Sequence, residues 1–107
     1  MKLIPLYEIA SVIRSKNAGP YELTFDIIFK DAQVYRQIKK TGFFKPRLFA
    51  ELYRLSMDDI ISYVEFDQAH AIKCTIKRPR VAGSIGDTDV YGAQQHAPLI
   101  HLKVPLA

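Results

Sequence analysis

The chain has 107 residues, with 15 Lys plus Arg against 11 Asp plus Glu for a formal net charge of +4, and 49% of its residues are hydrophobic. That composition excludes intrinsic disorder and the length excludes several domains, so one domain over residues 1–107 is expected. A chain this size buries roughly two-thirds of the surface it exposes when unfolded. This is enough for one core but not for a deep cleft between domains, so a complete catalytic site must be small or shared with a partner.

Charge interrupts every apolar stretch well before the roughly 20 residues that a membrane span needs. Pro5 and Glu8 break what would be the apolar centre of a signal peptide, and the reading is a cytoplasmic protein. Cys74 alone excludes an internal disulfide and a multi-cysteine zinc site, and it reads as a small core residue. The basic excess is four charges, clustered only at Lys39-Lys40 and at Lys77-Arg78-Pro79-Arg80, and no recognition motif accompanies it. Nucleic acid is not an expected partner.

In chain order, Leu3 to Ile13 is apolar and partly β-branched, which predicts a first strand ending in the polar run Ser15 to Pro20. Tyr21 to Phe29 alternates strictly, with Leu23, Phe25, Ile27 and Phe29 on one face and Glu22, Thr24 and Asp26 on the other. Asp31 can cap a helix that carries Val34, Tyr35 and Ile38 inward and ends near Thr41, with Lys39 and Lys40 at its negative end and Gly42 after it. Pro46 suits the first turn of a second helix with Leu48, Phe49, Leu52 and Tyr53 on its buried side. Ser56 and Asp59 resemble a capping box for one further helical turn. Val64 to Phe66 and His70 to Lys77 read as a hairpin that turns Ile72, Cys74 and Ile76 inward, with Lys73, Thr75 and Lys77 outward. Residues 79–97 read as a long loop, and Leu99 to Val104 as a last strand with Pro105 at its end or edge.

The order ββααββ plus a closing strand predicts an α+β fold, an antiparallel sheet with two helices on one face, as a ferredoxin-like variant.

Two polar segments concentrate chemistry. In the first, Arg14, Ser15, Lys16, Asn17 and Gly19 put a guanidinium fork, a hydroxyl, an ammonium, an amide and a flexible backbone into one short stretch, which can hold a carboxylate or phosphate. It lacks the glycine spacing of a nucleotide-binding loop. The competing reading is a polar hairpin turn in which Asn17 and Gly19 supply unusual dihedrals and the cations are solvated. The second runs from Gly83 to Pro98. Asp87 and Asp89 alternate and could act as acid and base, His96 could move a proton near neutrality, and Tyr91, Gln94 and Gln95 could line a pocket or orient a substrate. A hard cation between the two aspartates lacks the further oxygen ligands that calcium needs, so no metal is assigned. His70 and His101, in expected strands, read as surface or satisfied residues.

Leu6 to Pro20 followed by Leu23 to Ile27, together with Gly86 to Leu99, resembles a family of short bacterial proteins of unknown function, over nearly the whole chain. The resemblance implies a gene position beside large acyclic terpene utilisation (AtuA-type) proteins in catabolism of organic acids or acyl-CoA. The same blocks are distantly similar to the small ferredoxin-like domain of those larger proteins. Their equivalent segment starts Arg-Ser and continues Gly-Asp-Lys-Gly, where this chain has Lys16-Asn17-Ala18-Gly19.

Three functions are therefore open. The chain is a small subunit or accessory domain of a cytoplasmic enzyme acting on a carboxylate or acyl-CoA, with an AtuA-type partner. Alternatively it is a non-catalytic interaction module, or a stand-alone oligomeric binder of a small anion. No cofactor is assigned, and a homo- or hetero-oligomer is expected.

Overall fold

The computed structural model describes residues 2–19, 21–77 and 97–106. The strands are β1 (Lys2–Pro5), β2 (Ala10–Asn17), β3 (Glu22–Phe29), β4 (Ile60–Phe66), β5 (Ala71–Lys77) and β6 (Lys103–Leu106). The helical segments are α1 (Leu6–Ile9), α2 (Ala32–Thr41), α3 (Pro46–Leu52) and α4 (Ala97–Ile100). The fold is α+β. One sheet has the order β2-β3-β5-β4 with antiparallel neighbours throughout, and a second pairs β1 with β6.

The main sheet follows from alternation. In β3, Leu23, Phe25, Ile27 and Phe29 are at most 2% exposed, and they share a face with Ile72, Cys74 and Ile76 of β5. Helices α2 and α3 cover that face. Asp31 caps α2 by accepting from the Val34 amide at 2.8 Å, and Gly42 closes it in the left-handed conformation at φ 67°, which a glycine adopts without steric cost. Pro46 opens α3, which drives Phe49 into the core. The Phe25 ring lies 4.5 Å from Tyr53 and 6.1 Å from Phe49, and Phe29 contacts Tyr35 and Phe44. Burying each such ring contributes roughly 1.5–3 kcal/mol.

Two expected strands differ from the structure. The first apolar run is not continuous, because Leu6 to Ile9 form one helical turn between β1 and β2. Leu6, Ile9 and Ala10 all bury their side chains, a spacing of three and four that suits a helical turn better than a strand, and the Leu6 amide donates to the Leu102 carbonyl at 2.8 Å. At the other end Leu99 is fully buried on the helical turn α4, and the strand starts only at Lys103. Ser56 precedes a 3-10 turn, Met57–Asp59, and meets the Asp59 carboxylate at 3.4 Å rather than capping with its side chain.

One continuous hydrophobic cluster links Leu6, Ile9, the β3 and β5 residues, Phe49, Leu99 and Val104. The N- and C-terminal segments are thereby tied to the same core as the main sheet. Among the described residues no helix is long and apolar enough to cross a membrane.

Candidate functional site

Strand periodicity reorganises the first polar segment. Arg14 to Asn17 belong to β2, so of the described residues only Ala18, Gly19 and Tyr21 lie in the turn to β3. Gly19 has φ 134°, a conformation that side-chain-bearing residues rarely adopt, and the Ala18 amide donates to the Glu22 carbonyl at 3.0 Å. The described part of the segment is thus a strand leading into a hairpin turn. Ser15 is in register with Phe25 and Asn17 with Leu23, which puts both on the helix-covered side, with Ser15 5% exposed. Arg14 and Lys16 are on the opposite side, some 7 Å apart along the strand. The structure does not bring Ser15 and Asn17 together with the two cations.

Arg14, Asp26 and Lys73 instead form one rung across three strands, which Val64 extends onto β4. The next rung in one direction is Lys16, Thr24, Thr75 and Ser62. In the other direction lie Ile28, Ala71 and Phe66. No described helix packs over these rungs, yet the middle of this face is buried. Thr24 and Asp26 are 5% exposed, and Thr75, which the sequence placed on a solvated face, is 9% exposed. The Thr24 and Thr75 hydroxyls hydrogen-bond each other at 2.8 Å.

The polar centre is the Asp26 carboxylate. Its Oδ2 accepts from Arg14 Nε at 2.9 Å, and its Oδ1 lies 3.8 Å from Lys73 Nζ. A buried carboxylate is retained only when it is paired, and these two cations supply the pairing. The Arg14 bond uses Nε, and its side chain is 56% exposed. The Nε bond orients a half-exposed guanidinium, a group whose terminal nitrogens can grip a carboxylate at two points. The cavity beside it measures about 250 Å³ and is walled by Ile28, Phe66, Ala69 and Ala71. Lys73 Nζ stands 5.7 Å over the Phe66 ring. With two cations against one carboxylate, the rung attracts anions.

A second polar cluster, absent from the sequence reading, joins α2 to the β4–β5 turn. Asp67 Oδ1 accepts from the Tyr35 hydroxyl at 2.6 Å and from Lys39 Nζ at 2.8 Å. Lys39 also lies 3.8 Å from Glu65, which accepts from the Tyr63 hydroxyl at 3.0 Å. The hydrogen bonds from Lys39 and then Tyr35 lower the Asp67 pKa, and the Asp67 bond raises that of Lys39. Burial, then the bond to Asp67, raises the Tyr35 phenol. His70, expected in a strand, is the left-handed residue that closes the turn at φ 53°.

Cys74 is fully buried and its thiol is pushed up to about 12 by that burial, which opposes nucleophilic chemistry. His101 is exposed in a turn and packs edge-on against Tyr7 at 5.6 Å. Asp87, Asp89, Tyr91, Gln94, Gln95 and His96 lie outside the described residues. Among the described residues no three His, Cys, Asp or Glu side chains gather where they could hold a metal ion.

The model of a domain of unknown function, DUF4387, matches residues 6–103, and the chain belongs to that family. No curated protein and no solved structure matches the chain.

Proposed function

We propose that this DUF4387 chain is the small subunit or accessory domain of a cytoplasmic catabolic enzyme acting on a carboxylate or acyl-CoA substrate, with hydration or dehydration of an organic acid as the reaction. The observation that carries the reading is the Arg14–Asp26–Lys73 rung, an oriented guanidinium on a sheet face that no described helix covers. A cavity of about 250 Å³ is below the roughly 300–1,000 Å³ typical of small-molecule sites, so a second protein completes the pocket. The partner is a large AtuA-type protein, on the strength of the sequence resemblance. Val64 and Phe66, 39% and 44% exposed on the same face, provide apolar contact area for it.

In this reading Arg14 grips the substrate carboxylate, and Lys73 and Lys16 raise the local positive potential. Asp87, Asp89 and His96 exchange protons, while Tyr91, Gln94 and Gln95 orient the substrate. The test is turnover by the complex reconstituted with the AtuA-type partner. Arg14→Ala should raise KM for the carboxylate substrate about tenfold or more while the complex still assembles. An unchanged KM would remove Arg14 from the site.

The exposed apolar row on β4 also favours a second reading, an interaction module without chemistry of its own. Under it, Asp87→Asn and His96→Gln leave the partner's turnover unaffected.

A further inference from the structure

We infer that the cleft between α2 and the β4–β5 turn is a separate binding site for a small phosphate monoester with a planar body. The cleft has a volume of about 400 Å³ and is lined by Tyr35, Arg36, Lys39, Lys40, Asp67 and His70. It shares no lining residue with the cavity beside Arg14.

The charges of the cleft divide into a satisfied part and an unsatisfied part. Asp67 is taken up by Tyr35 and Lys39, and Lys39 is turned further toward Glu65. This network fixes the wall. Arg36 and Lys40, exposed on the same side of α2 one helical turn apart, make no ion pair with any described residue. Their spacing lets a planar guanidinium and a point ammonium converge on one group of oxygens, the pairing that suits a tetrahedral dianion better than a single carboxylate. Lys39 and Lys40 also complement the negative end of α2, so that end does not repel the ligand uncompensated.

The body of the ligand is set by the rings. Tyr35 and His70 stand 6.1 Å apart at 48°. Tyr35 is nearly buried, so His70 offers the accessible ring edge and donor. His70 occupies a left-handed conformation where Gly or Asn is less strained, and its backbone is held there by its amide donating to Asp67 and its carbonyl accepting from Phe29. An imidazole kept at that strained position, at the mouth of a cationic cleft, fits a group that contacts ligand.

The inference does not rest on the proposed enzyme role, and its test uses the isolated chain. Phenyl phosphate is titrated into labelled protein and amide shifts are followed by NMR. The expected result is a saturable set of shifts at Arg36 to Gly42 and at Asp67 and His70, with inorganic phosphate binding several-fold more weakly. Arg36→Gln with Lys40→Gln should weaken phenyl phosphate about tenfold or more. Both side chains are exposed, so the thermal midpoint serves as the check on folding. Shifts that do not saturate, that center on Arg14, Lys16 and Lys73, or that persist in the double variant would overturn the site.

Discussion

Strand β3 presents two faces that are almost equally buried for opposite reasons. Phe25 is fully buried by Phe49 and Tyr53 packing over it from α3 and its C-terminal end. Asp26, its neighbour, is 5% exposed without any described helix above it, covered by its cross-strand partners and held by two cations. Burial alone therefore does not distinguish core from site. What distinguishes them is the means by which burial is balanced: apolar packing on one side, charge pairing on the other. The first is insensitive to a partner, while the second leaves exposed cationic donors that a partner or ligand can use.

The contrast can be broken from either side. Phe25→Ala or Phe49→Ala should have the largest effect, a loss of about 3–5 kcal/mol in urea unfolding, since each leaves a cavity among stacked rings. Asp26→Ala should cost less, about 1–3 kcal/mol, because Arg14 becomes unpaired but remains able to reach water. Arg14→Ala should cost a similar amount, about 1–3 kcal/mol, because the buried Asp26 carboxylate loses its 2.9 Å donor and keeps only Lys73 at 3.8 Å. A cost for Asp26→Ala equal to that of Phe25→Ala would mean that the open face is simply more core.

Two smaller effects concern titration. The Asp67 pKa is lowered by Lys39 and Tyr35, so its contribution is present above the usual carboxylate value of 3.8 and is lost as pH falls through the folded value. Unfolding midpoints on the acid side should therefore fall less steeply in Lys39→Ala than in the parent chain. Cys74 works in the other direction: its thiol is raised by burial, so its contribution is intact below 9.0 and is lost as pH rises toward about 12. A thiolate-directed reagent near pH 8 should label Cys74 only as the protein opens, and immediate labelling would contradict its place in the core.

Much of the fold was legible because the signals were local. The alternation of Leu23, Phe25, Ile27 and Phe29, the Asp31 cap, Gly42 and Pro46 each act within a few residues, and each element formed as read. The helical turn at Leu6 was less legible, since a short apolar run suits strand or helix until its tertiary partner is known. Arg14 was legible as a cation available to an anion, but its partner was not. The carboxylate that orients it sits 12 residues away, and only the hairpin register brings the two together. Setting Ala18 opposite Glu22 pairs Asn17 with Leu23 and hence Arg14 with Asp26, whereas a turn one residue shorter would put Phe25 opposite Arg14, so the ion pair depends on the exact hairpin count. The Asp67 cluster was out of reach, because it joins α2 to a turn some 30 residues later through tertiary packing alone.

The central claim is that the open sheet face is where this chain meets a larger protein. The most direct measurement is tagged co-purification from the native cell at ordinary expression, with wild-type chain and Phe66→Glu compared side by side. Phe66 is 44% exposed, so the substitution should leave the thermal midpoint nearly unchanged. The expected result is a stoichiometric large AtuA-type protein with the wild type and its loss with Phe66→Glu. Recovery of the chain alone as a defined homo-oligomer, or equal recovery of the partner with both chains, would contradict the account.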